Sequence, residues 1–494
     1  MATAARHVAV ARRQVDVQSS RRCARCAADR RGCGGRLPRI DRSRIRHFAR
    51  HRLRIGPRSR TTPRWPQPLP LRSSTPGAVG GTPHAHHSRA GTAWSADSAG
   101  GPVRRRAAPA HLVAARSRRL AMTRFDRPAA GTTSAGPPRL IGLDVTRAIA
   151  LIGVVVMNYV GTMYEIEFDP SFLERVLDPY TGVLSTRFAA TFVVVAGISI
   201  TLLTERARRG DASDRRDARL RLARRGLLLL LIGYFLDFHW PGTILFFYGA
   251  YFLLATLLFT LSDRWLAVIG VGSAVIATTV RTVLNWRLDN GQYDDWINSA
   301  PIESLQDLLV RTFLDYTHPV FPWLAYLCAG IVMGRHLPTF AQWRGRVAAL
   351  CVGVVVGVYV ASTVLDAGDA RENSVVWSLT SMQTFERSLP FTATTLAVAV
   401  LATILIVSLA ERFAASPIVV AFQRAGQLTL SLYLMHVLVY YVFVEWTGWV
   451  SLSSVIAALV FALVFWVVAI AIGSWWHHRV GRGPAEVVYR AFGG

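Results

Sequence analysis

The chain has 494 residues, is 52% hydrophobic and carries a formal net charge of +26. All 56 basic residues are arginine; residues 1–121 hold 27 of them beside four acids, whereas residues 122–494 hold 29 beside 26 acids. We exclude nucleic acid as a partner, since the basic stretch has no interleaved aromatic residues and no recognisable fold to present its arginines.

Residues 1–121 are rich in Arg, Pro, Gly and Ser and contain no long apolar run. A stretch of this composition cannot bury a core, so we predict a disordered segment. It is not a secretory signal, because no apolar region follows its charges. We expect either a mis-assigned start, with Met122 as the first residue, or a cytoplasmic tail that binds anionic lipid. Residues 122–138 then form a short polar leader.

From residue 139 onwards the sequence is typical of an all-α polytopic integral membrane protein. About 20 apolar residues cross a bilayer. The hydropathy pattern predicts ten transmembrane helices, at about 140–159, 183–204, 222–238, 242–261, 265–285, 319–335, 347–366, 389–410, 426–445 and 453–474.

Arginine in the short loops predicts the orientation. The strongest marker is residues 207–225, between the second and third spans, which we place in the cytoplasm. Strict alternation then puts both termini in the cytoplasm, with a transmembrane domain at 139–480 and a cytoplasmic tail at 481–494. We expect a multi-pass protein of the plasma membrane that contacts membrane lipid.

The predicted outer loop 286–318 contains a candidate amphipathic helix in SAPIESLQDLLVRTFLDY. Ser304 is its expected N-cap, and Asp307, three residues on, is the acidic half of a capping box. We expect this helix to lie at the outer interface.

Residues 122–494 contain no soluble-enzyme motif, so function has to be inferred from polar groups in or beside the spans. Asp144 and Arg147 share one helix face because they are three residues apart. An ion pair in a spanning segment is costly unless it is paired internally or faces a cavity, so it is either a structural pair or part of a site. Arg187 is either part of a site or an interface residue whose guanidinium extends to lipid phosphates at the outer surface.

Histidines supply the second group of candidates. Asp237 and His239 end the third span, His318 opens the sixth, and His436 lies in the middle of the ninth. Acyl transfer needs a general base near neutral pKa, for which histidine is the usual choice. It also needs cationic or amide donors for the oxyanion, and Arg147, Arg187 and Asn158 have the right chemistry. A lone histidine such as His436 can equally be a packing residue.

The stretch LDVTRAIALIGVVVMNYVG resembles the first-span signature of the YeiB-like bacterial membrane proteins and of heparan-α-glucosaminide N-acetyltransferase. Further similar stretches follow in order: TRFAATFVVVAGISI, ILFFYGAYFLLA, HPVFPWLAYLCAGIVMGR and GQLTLSLYLMHVLVYY. The resemblance implies a membrane acyltransferase that passes an acyl group, usually acetyl from cytosolic acetyl-CoA, to a sugar on the far side. Asp144, Arg147 and Asn158 occupy the signature positions.

The chain departs from this family at two points. The heparan enzyme has a catalytic histidine in the outer loop between its first two spans, and the corresponding loop here has none. Ala148 also stands where glycine is usual. If the chain transfers acyl groups, the base has to come from elsewhere, and we consider His318, His239, and Glu165 or Glu167 with a raised pKa. The alternative is that the fold is kept and the reaction differs.

We therefore predict an acyltransferase-like membrane protein with acyl-CoA as donor substrate, no metal, and a carbohydrate or glycolipid acceptor; a homodimer is left open. The alternative is a transporter or exporter of a small anionic or lipid-like molecule, which predicts internal repeats that are not evident by eye. The predicted site residues are His318, His239 and Asn158 for catalysis, and Asp144, Arg147 and Arg187 for the donor.

Overall fold

The computed structural model describes residues 140–163, 170–292, 304–366, 374–451 and 454–494, together with residues 297 and 302. Within these ranges the regular structure is helical and contains no strand. The predictions for segments 1–121 and 122–138, and the candidate bases Glu165 and Glu167, fall outside the described residues.

The α-helices of the described part are numbered here in chain order. They are α1 (Ile141–Met163), α2 (Phe172–Leu177), α3 (Arg187–Arg209), α4 (Ala212–Asp237), α5 (Ile244–Leu258), α6 (Asp263–Asp289), α7 (Leu305–Phe313), α8 (Val320–Arg335), α9 (Phe340–Asp366), α10 (Ser374–Thr380), α11 (Leu389–Arg412), α12 (Pro417–Gly426), α13 (Thr429–Tyr440), α14 (Val455–Arg479) and α15 (Pro484–Gly493).

Seven helices of the described chain are long and apolar enough to cross a membrane, which makes this a multi-pass membrane protein. They are α1, α3, α6, α9, α11, α13 with its C-terminal extension, and α14. Helices α5 and α8 are apolar but have only 15 and 16 residues. Each of the ten predicted spans coincides with a helix, but ten crossings and the side of each terminus stay predictions.

Helix α4 differs most from its predicted form. Its 26 residues join the arginine-rich segment and the following apolar run into one continuous helix. Arginine and leucine are both good helix formers, so nothing in this sequence ends the helix where the charge stops. Asp211 caps its start, since the Asp214 N–H donates to Oδ1 of Asp211 at 2.9 Å.

Small residues bring two helix pairs of the bundle close together. Helix α3 packs along α8, and α4 along α5. A Cβ on Gly330 would overlap the carbonyl oxygen of Val194, and one on Gly197 would overlap that of Leu327. This is the close backbone approach that membrane helices use in place of hydrophobic attraction.

The predicted ninth span, 426–445, agrees with the continuous helical stretch Thr429–Trp446, and a break between α12 and α13 comes just before it. Helix α12 ends at Gly426, α13 begins at Thr429, and the last turns of the span, Tyr441–Trp446, are a π-helix. The free N–H groups of Leu430 and Ser431 donate to Oε1 of Glu486 in α15, at 2.7 and 3.1 Å. Glu486 therefore satisfies two of the N–H groups that the first turn of α13 leaves without a partner in the helix.

The predicted amphipathic helix is confirmed as α7. Asp307 N–H donates to Ser304 Oγ at 3.1 Å, and Ser304 N–H donates to Asp307 Oδ2 at 2.8 Å, which completes the capping box. Its position at the outer interface stays a prediction.

Candidate functional site

The Asp144–Arg147 pair ties three parts of the bundle together. Arg147 Nη1 donates to Asp144 Oδ1 at 2.6 Å, and Arg147 Nη2 donates to Ser199 Oγ of α3 at 2.5 Å. Asp144 Oδ2 accepts from the side-chain amide of Gln427, which lies between α12 and α13, at 3.0 Å. Asp144 is buried, so these bonds offset the cost of removing its charge from water.

The network continues into α14. The carbonyl oxygen of the Gln427 side chain lies 2.8 Å from Nε2 of His477. Since the Gln427 amide already donates to Asp144, its oxygen accepts, and His477 carries its proton on Nε2. We call Asp144, Arg147, Ser199, Gln427 and His477 the inner network. Sequence reasoning found its ion pair but not its other members.

The second polar group of the bundle joins Asn158 to His436. Asn158 Nδ2 lies 3.2 Å from His436 Nε2, and Nδ1 of His436 is hydrogen-bonded to the carbonyl oxygen of Tyr433. A carbonyl can only accept, so Nδ1 carries the proton and Nε2 offers its lone pair to the asparagine amide. His436 is fully buried. A base of the right type is thus held in a single tautomer.

Aromatic rings enclose His436. The ring centroid of Trp240 is 5.5 Å away, that of Tyr433 4.8 Å and that of Tyr159 5.8 Å. The Tyr159 hydroxyl also donates to the His436 carbonyl oxygen at 2.9 Å. These contacts orient the imidazole and exclude water from it in the structure as it stands.

The bundle becomes more exposed beyond the Asn158–His436 pair, at the C-terminal end of α13. Tyr441, five residues past His436, begins the π-helix, a feature that often marks functional sites. Its hydroxyl donates to the carbonyl oxygen of His239, whose side chain is exposed. The predicted candidate His239 thus lies beside Tyr441, 6.3 Å between ring centroids, with its side chain exposed.

His318 occupies a separate place, in the turn between α7 and α8. Its ring packs 4.6 Å from Trp323 and 5.9 Å from Phe247. Its Nδ1 is inaccessible and has no hydrogen-bond partner among the described residues. Burial lowers the pKa of His318 to about 3, so the imidazole is neutral at physiological pH and gains a proton only in strong acid.

Arg187 does not join the inner network. Its Nη1 donates to Thr395 Oγ1 at 2.6 Å, and its guanidinium lies 5.2 Å from the centre of the Phe391 ring. Arg187 begins α3, and Ser199, which contacts Arg147, lies twelve residues further on, about 18 Å along the axis. The three residues predicted to bind the donor are therefore split between two regions.

Asp237 has a structural partner. It forms an ion pair with Arg311 of α7, and its Oδ1 accepts from the Gly242 N–H at 2.9 Å. Arg387 similarly pairs with Asp315 at 2.7 Å. These contacts fix the turn between α4 and α5 to α7, and the turn between α7 and α8 to the segment just before α11. No group of three or more His, Cys, Asp or Glu residues in the described part of the chain is placed to hold a metal ion.

Comparison with known families agrees with the resemblance in the sequence. Residues 139–345 match the family model described as heparan-alpha-glucosaminide N-acetyltransferase, catalytic. Residues 335–493 match that described as protein of unknown function (DUF418). The two matches support a relation of this membrane protein to the YeiB-like membrane proteins and to the heparan enzyme's catalytic domain. No curated protein matches the chain.

The two matches divide the candidate site between them. Asn158 and the Asp144–Arg147 pair lie in the first matched segment, whereas His436, Gln427 and His477 lie in the second. Both polar groups of the bundle therefore form only where the two segments pack together.

Proposed function

We propose that this chain is a membrane acyltransferase. It takes an acyl group, acetyl in the simplest case, from cytosolic acyl-CoA and passes it to a hydroxyl or amine of an envelope carbohydrate or lipid-linked glycan. The observation that carries the proposal is the Asn158–His436 pair. The pair is buried in a bundle whose first half matches an N-acetyltransferase catalytic domain.

His436 is the proposed general base. Its Nε2 removes the proton of the acceptor O–H or N–H while the acceptor atom attacks the thioester carbonyl carbon. The C–S bond then breaks, the acyl group stays on the acceptor, and the CoA thiolate takes the proton back from Nε2. The bond from Nδ1 to Tyr433 keeps Nε2 in the form that can accept a proton.

Asn158 is the proposed oxyanion donor. In the structure its amide is 3.2 Å from Nε2 of His436, so the same group is within reach of a carbonyl placed beside the base. A neutral amide donor stabilises the developing negative charge without itself giving up a proton. The acceptor sugar enters from the exposed end near His239, whose ring is solvent-accessible.

The position of Arg147 suits the donor. Arg147 and Asn158 are eleven residues apart on α1, which is about 16 Å along the axis. The extended pantetheine arm of CoA can cover such a distance, with the phosphates near Arg147 and the thioester near Asn158. The match to an acetyltransferase model favours this function over the transporter considered from the sequence.

The first prediction concerns turnover. Purified full-length protein in nanodiscs should release free thiol from acetyl-CoA when supplied with a carbohydrate or glycolipid acceptor. His436→Gln and Asn158→Leu should each lower that rate about 100-fold, the usual size of a lost acid–base or oxyanion contact. His478→Gln, on an exposed histidine of α14, is the matched control and should keep the rate.

His318→Gln and His239→Gln test the two other histidine candidates in the same assay. If either abolishes thiol release while His436→Gln does not, the base is assigned wrongly. Equal release by all variants and by protein-free nanodiscs would remove the enzyme proposal.

A further inference from the structure

A cleft opens at one end of the bundle, where α3 ends, α6 begins and α8 ends. It has a volume of about 510 Å³. All the residues that line it are polar or charged, and three of the five are arginines: Arg208, Ser262, Asp263, Arg264 and Arg335. We call it the arginine cleft. In the predicted orientation this end of each helix faces the cytoplasm, and the concentration of arginine around an open space favours an anion.

Arg335 is the most buried of the three arginines and fixes the shape of the cleft. Its side chain is 6% exposed; Nη1 donates to Asp263 Oδ1 at 2.5 Å, and Nη2 donates to the Phe259 carbonyl oxygen at 3.0 Å. Its Nε has no hydrogen-bond partner among the described residues. Oδ2 of Asp263 accepts from His336 Nε2 at 2.9 Å, so both oxygens of this carboxylate are occupied.

The other two arginines retain free donors. Arg208 pairs with Glu205 through Nε alone, at 3.4 Å, and Glu205 is shared with Arg209 at 2.6 Å. Arg264 is exposed and has no ion pair or hydrogen bond within the described ranges. The positive charge of Arg264 is therefore unmatched, and the cleft can take one further negative charge.

The start of α6 adds backbone donors at the edge of the cleft. Ser262 is the N-cap of this helix, and its hydroxyl makes no capping hydrogen bond. The first intrahelical bond runs from the Leu266 N–H to the Ser262 carbonyl oxygen, so the N–H groups before Leu266 have no partner inside the helix. A helix start also carries a partial positive charge, which acts in the same direction as the arginines.

An apolar strip runs along α6 from the arginine cleft. Val268, Val271 and Val275 lie four, seven and eleven residues after Arg264, which places all four on one face of the helix. The three valines are 58, 64 and 44% exposed. Trp265, also exposed, belongs to the residue type that is enriched where a membrane meets water. A molecule with an anionic head at Arg264 would thus find an apolar surface beneath it.

We propose that the arginine cleft binds the phosphate of an anionic phospholipid of the cytoplasmic leaflet, with an acyl chain along the valines of α6. Arginine presents fixed pairs of N–H donors to phosphate oxygens. A phosphodiester carries one negative charge, which matches the unpaired charge of Arg264. A soluble phosphate would meet the same donors but would leave the apolar strip without a partner.

Lipid binding by delipidated full-length protein in detergent tests the site. Native mass spectrometry measures the Kd of the first bound phosphatidylglycerol, and phosphatidylcholine serves as the lipid without net charge. Arg264→Gln should weaken the Kd of phosphatidylglycerol about fivefold, the size expected for one arginine near an anionic lipid, and leave that of phosphatidylcholine unchanged. Arg346→Gln is the matched control, because Arg346 is also exposed, lies near the start of α9 and does not line the cleft. It should leave both values unchanged.

A second measurement distinguishes a lipid phosphate from a soluble one. Glycerol phosphate, which has the charge of the headgroup but no acyl chain, is added to the complex of wild type with phosphatidylglycerol. The valines of α6 predict that the lipid stays bound at glycerol phosphate concentrations well above the Kd of the lipid. Displacement at equal concentrations would overturn the lipid assignment in favour of a soluble phosphate.

Equal phosphatidylglycerol affinity of Arg264→Gln and Arg346→Gln would disprove the site, and so would an equal loss of affinity for both lipids in Arg264→Gln. Thermal unfolding without added lipid checks that each variant is folded. If Arg264→Gln does not fold, the Kd of Arg208→Gln decides, because this change removes the free Nη donors of the cleft. Acyl transfer enters neither measurement, so the outcome does not depend on the proposed function.

Discussion

At the scale of single residues, the chain satisfies its charges inside the bundle by using side chains far away in sequence. Asp144 accepts from Arg147, one turn away, and also from Gln427, 283 residues away. The sequence alone identified the ion pair, because its spacing is local. The sequence could not identify Gln427 as a partner, because no residue near Asp144 in the sequence specifies which helix packs against Asp144.

The second prediction tests whether Asp144 and Arg147 act as a pair. Arg147→Leu should destabilise the protein by about 1–3 kcal/mol, because the Asp144 carboxylate is then left buried with Gln427 as its remaining partner. The double variant Asp144→Asn/Arg147→Leu removes the charge as well and should recover most of that loss. Denaturant unfolding in detergent measures both. Equal stability of the single and double variants would mean that the two residues are not coupled.

At the scale of helices, two features position the candidate site. The break between α12 and α13 turns Gln427 towards Asp144, and Gly426 permits it because a Cβ there would overlap the Asp144 carbonyl group. The glycine contacts between α3 and α8 bring these helices together along their length. Hydropathy predicted a span at 426–445, and a continuous helical stretch is found at Thr429–Trp446. Hydropathy did not show the break just before it, because the N–H groups freed there are bonded by Glu486 from another helix.

The third prediction concerns the crossing of α3 and α8. Gly330→Ala should destabilise the bundle by about 1–3 kcal/mol or more, because its methyl group has no room beside the Val194 carbonyl. Gly357→Ala in α9 is the matched control, since nothing lies within 4 Å of the position of its Cβ. That variant should change stability by less than about 1 kcal/mol. The thermal unfolding midpoints of the two variants are compared. Equal midpoints would contradict the close contact of α3 and α8 at Gly330.

At the scale of the whole molecule, the number of membrane crossings depends on α4, α5 and α8. Seven helices of the described chain are long enough on their own. Helix α4 combines an arginine-rich first half with an apolar second half, and α5 follows it after a short turn. If α4 crosses the membrane, its two ends face opposite sides.

The fourth prediction places those ends. In a variant with all five cysteines replaced, Ser213→Cys and Phe238→Cys put single thiols at exposed positions at the two ends of α4. A membrane-impermeant maleimide added to intact cells should label Phe238→Cys and leave Ser213→Cys unlabelled until the cells are permeabilised. This follows from the arginines around Ser213, which favour the cytoplasmic side. Labelling of both thiols in intact cells would show that α4 does not cross.

The sequence by itself determined where helices form and which of them are apolar enough for a membrane. Runs of apolar residues and the Ser304–Asp307 capping box are local signals, and each is matched by a helix of the structure. The orientation predicted from the distribution of arginine stays a prediction. The resemblance in the first span likewise depends on neighbouring residues.

Only the tertiary structure decided which polar groups meet. It joined Asn158 to His436, 278 residues away, and packed His318 against Trp323 and Phe247 instead. It also separated Arg187 from Arg147, because Arg187 bonds to Thr395 whereas Arg147 bonds to Ser199. The physical reason is that membrane helices are apolar around most of their circumference. Hydropathy therefore does not show which face packs on which neighbour, and close contacts between small residues and buried hydrogen bonds settle it instead.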